Sequence, residues 1–301
     1  KFLYEHNVEK GSMTLIDQEQ AEKIYEAMPP STEKSGGSAA NTIAGIVSLG
    51  GSAAFIGKVK EDQLGGIFTH DLKSLGVHYA TGASSHGLST ARCLVMVTPD
   101  AERSMATYLG ATREISIDDI DEEVIANAKV TYLEGYLWDE QHAKDAMREA
   151  VSMAVKHGNE ISLSLSDSFC VTRHKEELLE LIAKHVDVLF ANEAEIKELL
   201  GALDLKDALP KLSEMCKTTA ITLGAKGSVV VSGNDIHEIE AGSGLNVVDT
   251  TGAGDLYAAG FLFGYTKGES LPECGRLGTV AASEIIQHIG ARPEVKLAEL
   301  V

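Results

Sequence analysis

Much of what this chain lacks narrows what it can be. Its four cysteines (Cys93, Cys170, Cys216 and Cys274) lie far apart with no C-x-x-C pair, which argues against a disulfide framework or a Cys/His metal cluster. Reduced thiols in a cytoplasmic protein are expected. No apolar run approaches the roughly 18 residues of a membrane span, and Lys1-Phe2-Leu3-Tyr4-Glu5-His6 is no signal peptide, so no membrane partner is expected. Positive charge is scarce: 26 Lys and Arg face 45 Asp and Glu, a net charge of −19. That balance disfavours nucleic acid and anionic bilayers as main partners, but not a phosphorylated small molecule, whose site is set by local donors and metal. No G-x-x-x-x-G-K-[ST], G-x-S-x-G or H-E-x-x-H is present, and Tyr257 occupies the third-glycine position of a dinucleotide fingerprint. Walker-type NTPases, nucleophile-elbow hydrolases, zinc peptidases and dehydrogenases are thereby disfavoured.

What is present is an ordinary globular composition, 44% hydrophobic and 24% charged, over 301 residues. That length suits one large α/β domain or one domain with an insertion. Strands are expected at 53–56, 130–133, 161–166, 186–190 and 219–223. Helices are expected at 38–49, 62–75, 140–157, 175–184, 193–200 and 255–265. Alternation of this kind predicts a doubly wound, mainly parallel sheet with helices on both faces, and ligands beyond the carboxyl ends of the strands. Two segments break the alternation. Residues 91–97 and 103–109 read as a hairpin around Thr98-Pro99-Asp100, and the first 35 residues lack a clear βα unit. A small inserted β lid over the site is expected, from 1–35 and 87–110, on a core of 36–86 and 111–301.

The most informative stretch is Asp249-Thr250-Thr251-Gly252-Ala253-Gly254-Asp255, running into Leu256-Tyr257-Ala258-Ala259-Gly260. Small residues at a helix start let successive N–H groups point at one spot, an anion hole favoured by orphan donors and the helix dipole. A carboxylate at Asp255 beside that hole is badly placed to bind an anion and well placed to take a proton from a hydroxyl. The pair predicts phosphoryl transfer to an alcohol. The plainer reading is a glycine-rich turn whose Asp caps the helix.

Other motifs carry open alternatives. Ser35-Gly36-Gly37-Ser38-Ala39-Ala40-Asn41 allows a ligand close to the backbone, with Asn41 offering donor and acceptor to a sugar hydroxyl; otherwise Ser38 simply caps a helix. Asn192-Glu193-Ala194-Glu195 is either a capping box or a carboxylate set near hydrated Mg²⁺. Thr222-Leu223-Gly224-Ala225-Lys226-Gly227 either passes under a nucleotide or is the tight turn of a hairpin leading to 228–232.

In this order and spacing, these motifs resemble the ribokinase/PfkB family of carbohydrate and nucleoside kinases along essentially the whole chain. The resemblance implies a ribokinase-like α/β core with a small β lid, ATP as donor, Mg²⁺ and, as a further candidate, a monovalent cation. It implies a small-molecule acceptor and a monomer or homodimer. By that likeness Asp255 is the base and Gly252, Ala253 and Gly254 supply the amides. Asn192, Thr222, Gly224, Gly227 and Thr250 lie along ATP, Glu195 reaches the metal through water, and Gly36, Gly37 and Asn41 hold the acceptor. Within the family the chain is most similar to the adenosine kinase branch: Phe169 matches an aromatic that packs on adenine, and Arg103 matches a lid residue that meets the transferring phosphate. A nucleoside is therefore the expected acceptor, with Tyr136 and Trp138 as further stacking faces; otherwise these aromatics simply fill the edge of the core. A sugar kinase is the alternative within the family, and an idle nucleotide-binding regulator the alternative of another class. One departure stands out: the family's first strand, with its early Asp, has no counterpart ahead of Lys1, and a leading segment is expected to be missing.

Overall fold

The computed structural model describes residues 1–98 and 103–301; the Pro99-Asp100 turn lies outside the described residues. Strands β1 (Met13–Leu15), β2 (Arg92–Val97) and β3 (Arg103–Tyr108) form a small sheet in the order β1-β3-β2. Strands β4 (Val130–Glu134), β5 (Glu160–Ser164), β6 (Val188–Asn192), β7 (Thr218–Thr222), β8 (Ser228–Ser232) and β9 (Asp235–Ile239) form the large one, in sequential order. Its first four strands are parallel and the last two antiparallel. The α-helices are α1 (Phe2–Glu5), α2 (Gln18–Ala27), α3 (Ser38–Ser48), α4 (Gln63–Ser74), α5 (Glu122–Ala126), α6 (Gln141–His157), α7 (Ser168–His185), α8 (Glu193–Leu200), α9 (Leu205–Met215), α10 (Ala253–Lys267) and α11 (Leu271–Ile285). None is long and apolar enough to cross a membrane among the described residues.

The central strands are apolar on both faces because helices cover both. In β6, Leu189 and Ala191 pack with Val151, Leu178, Ile182 and Leu199 of α6, α7 and α8. The alternate residues Val188 and Phe190 pack on the other face with Tyr257 and Phe261 of α10 and Cys274 of α11. Helix α10 is buried without a break from Leu256 to Gly264, so it has no solvent face. A Cβ on Gly45 of α3 would lie 2.6 Å from the Ala259 Cβ, and one on Gly260 would lie 2.3 Å from the Leu277 carbonyl oxygen of α11. Those glycines let three helices meet at backbone distance, and the contact fixes where the start of α3 sits over the start of α10.

The small sheet has its own core, in which Leu94 and Ala106 pack on Val8 and on Ile24 of α2. Strand β3 buries Ser104, Ala106 and Tyr108 and turns Arg103, Met105 and Thr107 to the other side, which lines a large cleft against the core. This is the expected lid.

Several boundaries differ from expectation. Residues 53–56 form no strand: only isolated bridges, Ala54 with His78 and Lys60 with Ser84, tie that region down. Helix α7 starts at Ser168, where the Asp167 carboxylate accepts from the Cys170 amide at 2.7 Å, and it is broken at His174, so the apolar periodicity resumes only near 175. Helices α1, α2, α5, α9 and α11 lie outside the expected helical stretches; α9 holds Pro210 in its interior, and α11 has Pro272 in its first turn, where proline is tolerated. The second edge of β4 pairs with no strand among the described residues.

Ala in place of Gly260 tests the close packing. Helix propensity alone favours Ala by about 1 kcal/mol, whereas the clash with Leu277 costs typically 1–3 kcal/mol or more. Gly260→Ala is expected to lower the urea midpoint; a raised midpoint would show that α10 and α11 are not in backbone contact.

Candidate active site

The Asp249–Asp255 turn is held from inside. Asp249 is buried; its Oδ1 accepts from the Thr251 amide at 2.9 Å and the Thr251 hydroxyl at 2.7 Å, and its Oδ2 from the Gly290 amide at 3.4 Å. Gly252 has φ +82° and a Cβ there would lie 3.0 Å from Ala291, so only glycine fits. Helix α10 begins immediately after it. The Ala253 amide donates to the Thr250 carbonyl at 3.2 Å, while those of Gly252, Gly254 and Asp255 have no acceptor among the described residues. Of the three expected anion-hole amides, Ala253 is therefore already engaged, and Asp255 supplies its own in addition. A Cβ on Gly254 would meet nothing within 4 Å, so these donors open onto the cleft.

Asp255 does not cap its helix. Its Oδ2 accepts from Asn41 Nδ2 at 2.8 Å, and its Oδ1 lies 2.8 Å from Ser38 Oγ. Burial pushes this carboxyl up, against the hydrogen bonds from Asn41 and Ser38 and the positive charge of Arg103 on the lid. The plainer reading of this segment, with Ser38 as the helix cap, does not hold: Gly37, at φ +90°, takes that position and frees the Ser38 hydroxyl for the site. Asn41 is buried and keeps its Oδ1 unpartnered, an acceptor available to a ligand hydroxyl. Gly36 lines the cleft too, its carbonyl accepting from Arg292 at 3.2 Å.

Glu134, which sequence reasoning missed, completes this cluster. It ends β4, and its Oε1 lies 2.5 Å from Ser38 Oγ and 3.2 Å from the Tyr132 hydroxyl. Burial and the charge of Asp255 push it up to about 8. The available signal was an acid followed by Gly135 at the carboxyl end of a parallel strand, where such sheets place ligands.

Asn192, Glu195, Thr222, Gly224 and Thr250 line the same cleft. The capping box of α8 is fully formed: the Glu195 amide donates to Asn192 Oδ1 at 2.9 Å, and Glu195 accepts from the Asn192 amide at 2.9 Å and from its Nδ2 at 2.7 Å. Gly227 is in the turn between β7 and β8, where a Cβ would fall 2.0 Å from the Ile239 carbonyl; it serves the hairpin and does not line the cleft. Phe169 also lies off the cleft. It is 51% exposed in the first turn of α7, because the strand before it stops at Ser164. Trp138 is 1% exposed, inside the core. Of the three expected stacking aromatics only Tyr136 lines the cleft, its hydroxyl donating to the Ser166 carbonyl at 3.0 Å.

Burial pushes Glu195 up to about 7 from 4.5. A raised carboxyl binds more protons folded than unfolded, so its contribution to stability is full below pH 4.5 and lost as pH rises to about 7. Glu195→Gln removes that titration. The fall in urea midpoint from pH 5 to pH 7.5 is expected to be smaller in the variant than in the wild type; an equal fall would show that Glu195 ionises normally.

The comparisons agree with this geometry. The model of the pfkB family of carbohydrate kinases matches residues 11–297. A solved adenosine kinase from Sinorhizobium meliloti is 52% identical, with a TM-score of 0.97 over 99% of this chain and 92% of that one. A solved probable sugar kinase from Rhizobium etli is 48% identical, with a TM-score of 0.97 over 99% and 91%. The adenosine kinase of Saccharomyces cerevisiae is 26% identical over 96% of this chain and 90% of its own length. The chain belongs to the pfkB family of carbohydrate kinases and is a phosphotransferase with an alcohol group as acceptor.

Proposed function

We propose that this protein transfers the terminal phosphoryl group of ATP to the primary hydroxyl of a nucleoside, converting adenosine to AMP. The observation that carries the reading is a half-buried carboxylate, Asp255, held by Ser38 and Asn41 beside free amides at the first turn of α10. As the acceptor oxygen attacks phosphorus, its proton passes to Asp255 and the bond to the departing ADP breaks. The amides of Gly252, Gly254 and Asp255 meet the charge on the phosphoryl oxygens, and the positive end of the helix adds to them. Arg103 brings a further positive charge from the lid, whose apolar face, including Met105 and Val95, excludes water on closing.

The donor's side of the cleft is assigned to Asn192, Thr222, Gly224 and Thr250, and the acceptor's side to Gly36, Gly37 and Asn41. Mg²⁺ bound to nucleotide phosphates needs few protein carboxylates. Glu195 fits a water-mediated role: it is buried and lines the cleft, and a nearby cation would favour its ionised form. Bound there, the metal would neutralise phosphate charge.

The adenosine assignment rests on the Sinorhizobium meliloti and yeast enzymes and on Tyr136 as a ring in the cleft. A sugar acceptor is the second reading. It is favoured by the absence of Phe169 from the cleft lining, by the hydrogen-bonding cluster of Ser38, Asn41 and Glu134, and by the likeness to the Rhizobium etli protein. An ADP-release assay over adenosine, other nucleosides, ribose and fructose separates them. The highest kcat/KM is expected for adenosine; preference for ribose or fructose would replace the nucleoside reading with the sugar one.

A further inference from the structure

We infer that Glu134 is a positioning residue kept neutral: a carboxylic acid that donates its proton to Ser38, so that the Ser38 hydroxyl is turned to donate to Asp255. The inference rests on the reading of Asp255 as the base. It starts from a count of protons. Ser38 Oγ lies 2.5 Å from Glu134 Oε1 and 2.8 Å from Asp255 Oδ1, both hydrogen-bond distances. A hydroxyl has one proton to give. With both carboxyls ionised, one of the two contacts would be oxygen lone pair against oxygen lone pair, in a half-buried site with two like charges. Both contacts are attractive only if one carboxyl carries a proton.

The surroundings decide which one. Asp255 receives a second donor in Asn41 Nδ2 at 2.8 Å, faces the charge of Arg103, and is in the first turn of α10, where the helix dipole favours a negative group. Glu134 has the Tyr132 hydroxyl at 3.2 Å and the Ala39 amide, and pairs with no cation among the described residues. The other titratable groups facing the pair are Tyr132 and Tyr136, both pushed well above the usual range by burial, with Asp167 and Glu195 beyond Tyr136. The Tyr132 hydroxyl and the Ala39 amide favour the ionised form of Glu134, but burial and the charge of Asp255 outweigh them. The proton therefore resides on Glu134, and the chain of donors runs from Glu134 to Ser38 to Asp255.

The arrangement has a consequence for turnover. Ionised Glu134 would draw the Ser38 proton to itself, remove one donor from Asp255, and set a second negative charge where a phosphoryl group must arrive. Activity is thus expected to fall as pH rises through about 8, the value to which burial and Asp255 push Glu134. Gln at this position can donate from its amide to Ser38 but cannot ionise.

The test compares pH profiles of kcat for wild type, Glu134→Gln and Glu134→Ala. The alkaline fall near pH 8 is expected in the wild type and absent from Glu134→Gln. Glu134→Ala, lacking the donor, is expected to lose roughly threefold to tenfold in kcat at every pH, as for one lost hydrogen bond, with KM for ATP little changed. An alkaline limb that persists in Glu134→Gln, or a Gln variant no better than Ala throughout, overturns the inference. A second measurement needs no substrate: the infrared C=O band of a protonated carboxyl, identified as the difference between wild type and Glu134→Gln. It is expected near neutral pH and lost on titration through about 8; absence of the band also overturns the inference. If the band is present but no acceptor is phosphorylated, the functional reading fails and the proton assignment stands.

Discussion

Everything at this site hangs on one desolvated, half-buried carboxylate held by side chains from a distant helix. Ser38 and Asn41 reach Asp255 across 217 and 214 residues of sequence. Burying a charged carboxyl is costly unless donors compensate it. Here desolvation raises Asp255, and two hydrogen bonds, a lid arginine and a helix start oppose that rise. The compensation works only if α3 and α10 touch at close range. The glycines at the α3–α10 and α10–α11 contacts are therefore as necessary to the chemistry as the residues that carry it.

Charge explains the choice of donors. A protein with a net charge of −19 and three acids around its cleft, the buried Glu195 and the half-buried Glu134 and Asp255, is a poor host for a polyanion unless much of that charge is neutralised locally. Burial pushes Glu134 up to about 8 and Glu195 up to about 7, which lowers the number of negative charges near neutral pH and leaves Asp255 as the ionised base. Backbone amides at the start of α10 then supply positive potential at a fixed point, at no side-chain entropy cost. Global charge and local recognition are decoupled.

The parts of this design that depend on short-range pattern were legible in the sequence. The turn from Asp249 to Asp255 and the lid hairpin follow from local glycine and strand signals, and the strands that build the core follow from short apolar runs, buried on both faces. Asn192 and Glu195 read as a capping box by spacing, and the box is formed. What failed was orientation and pairing. Phe169 was assigned to a strand end, but Asp167 starts a helix two residues earlier and turns the ring to solvent. Trp138 is core because the short 3-10 turn after β4 directs it inward, away from Tyr136. Glu134 was overlooked because its meaning lies in Ser38 and Asp255, far along the chain. Gly227 shows the converse: its positive φ and contact with β9 belong to the hairpin, although its spacing resembles a ligand loop.

The most direct test of the account is Asp255→Asn, which keeps the shape of the side chain and removes its basicity. ATP binding and melting temperature are predicted to stay near wild type while kcat falls by roughly 10²–10⁴, the usual worth of a positioned base. A variant that turns over at nearly the wild-type rate would contradict the account, because Asp255 would then be a structural anchor for α3 and not the group that takes the proton.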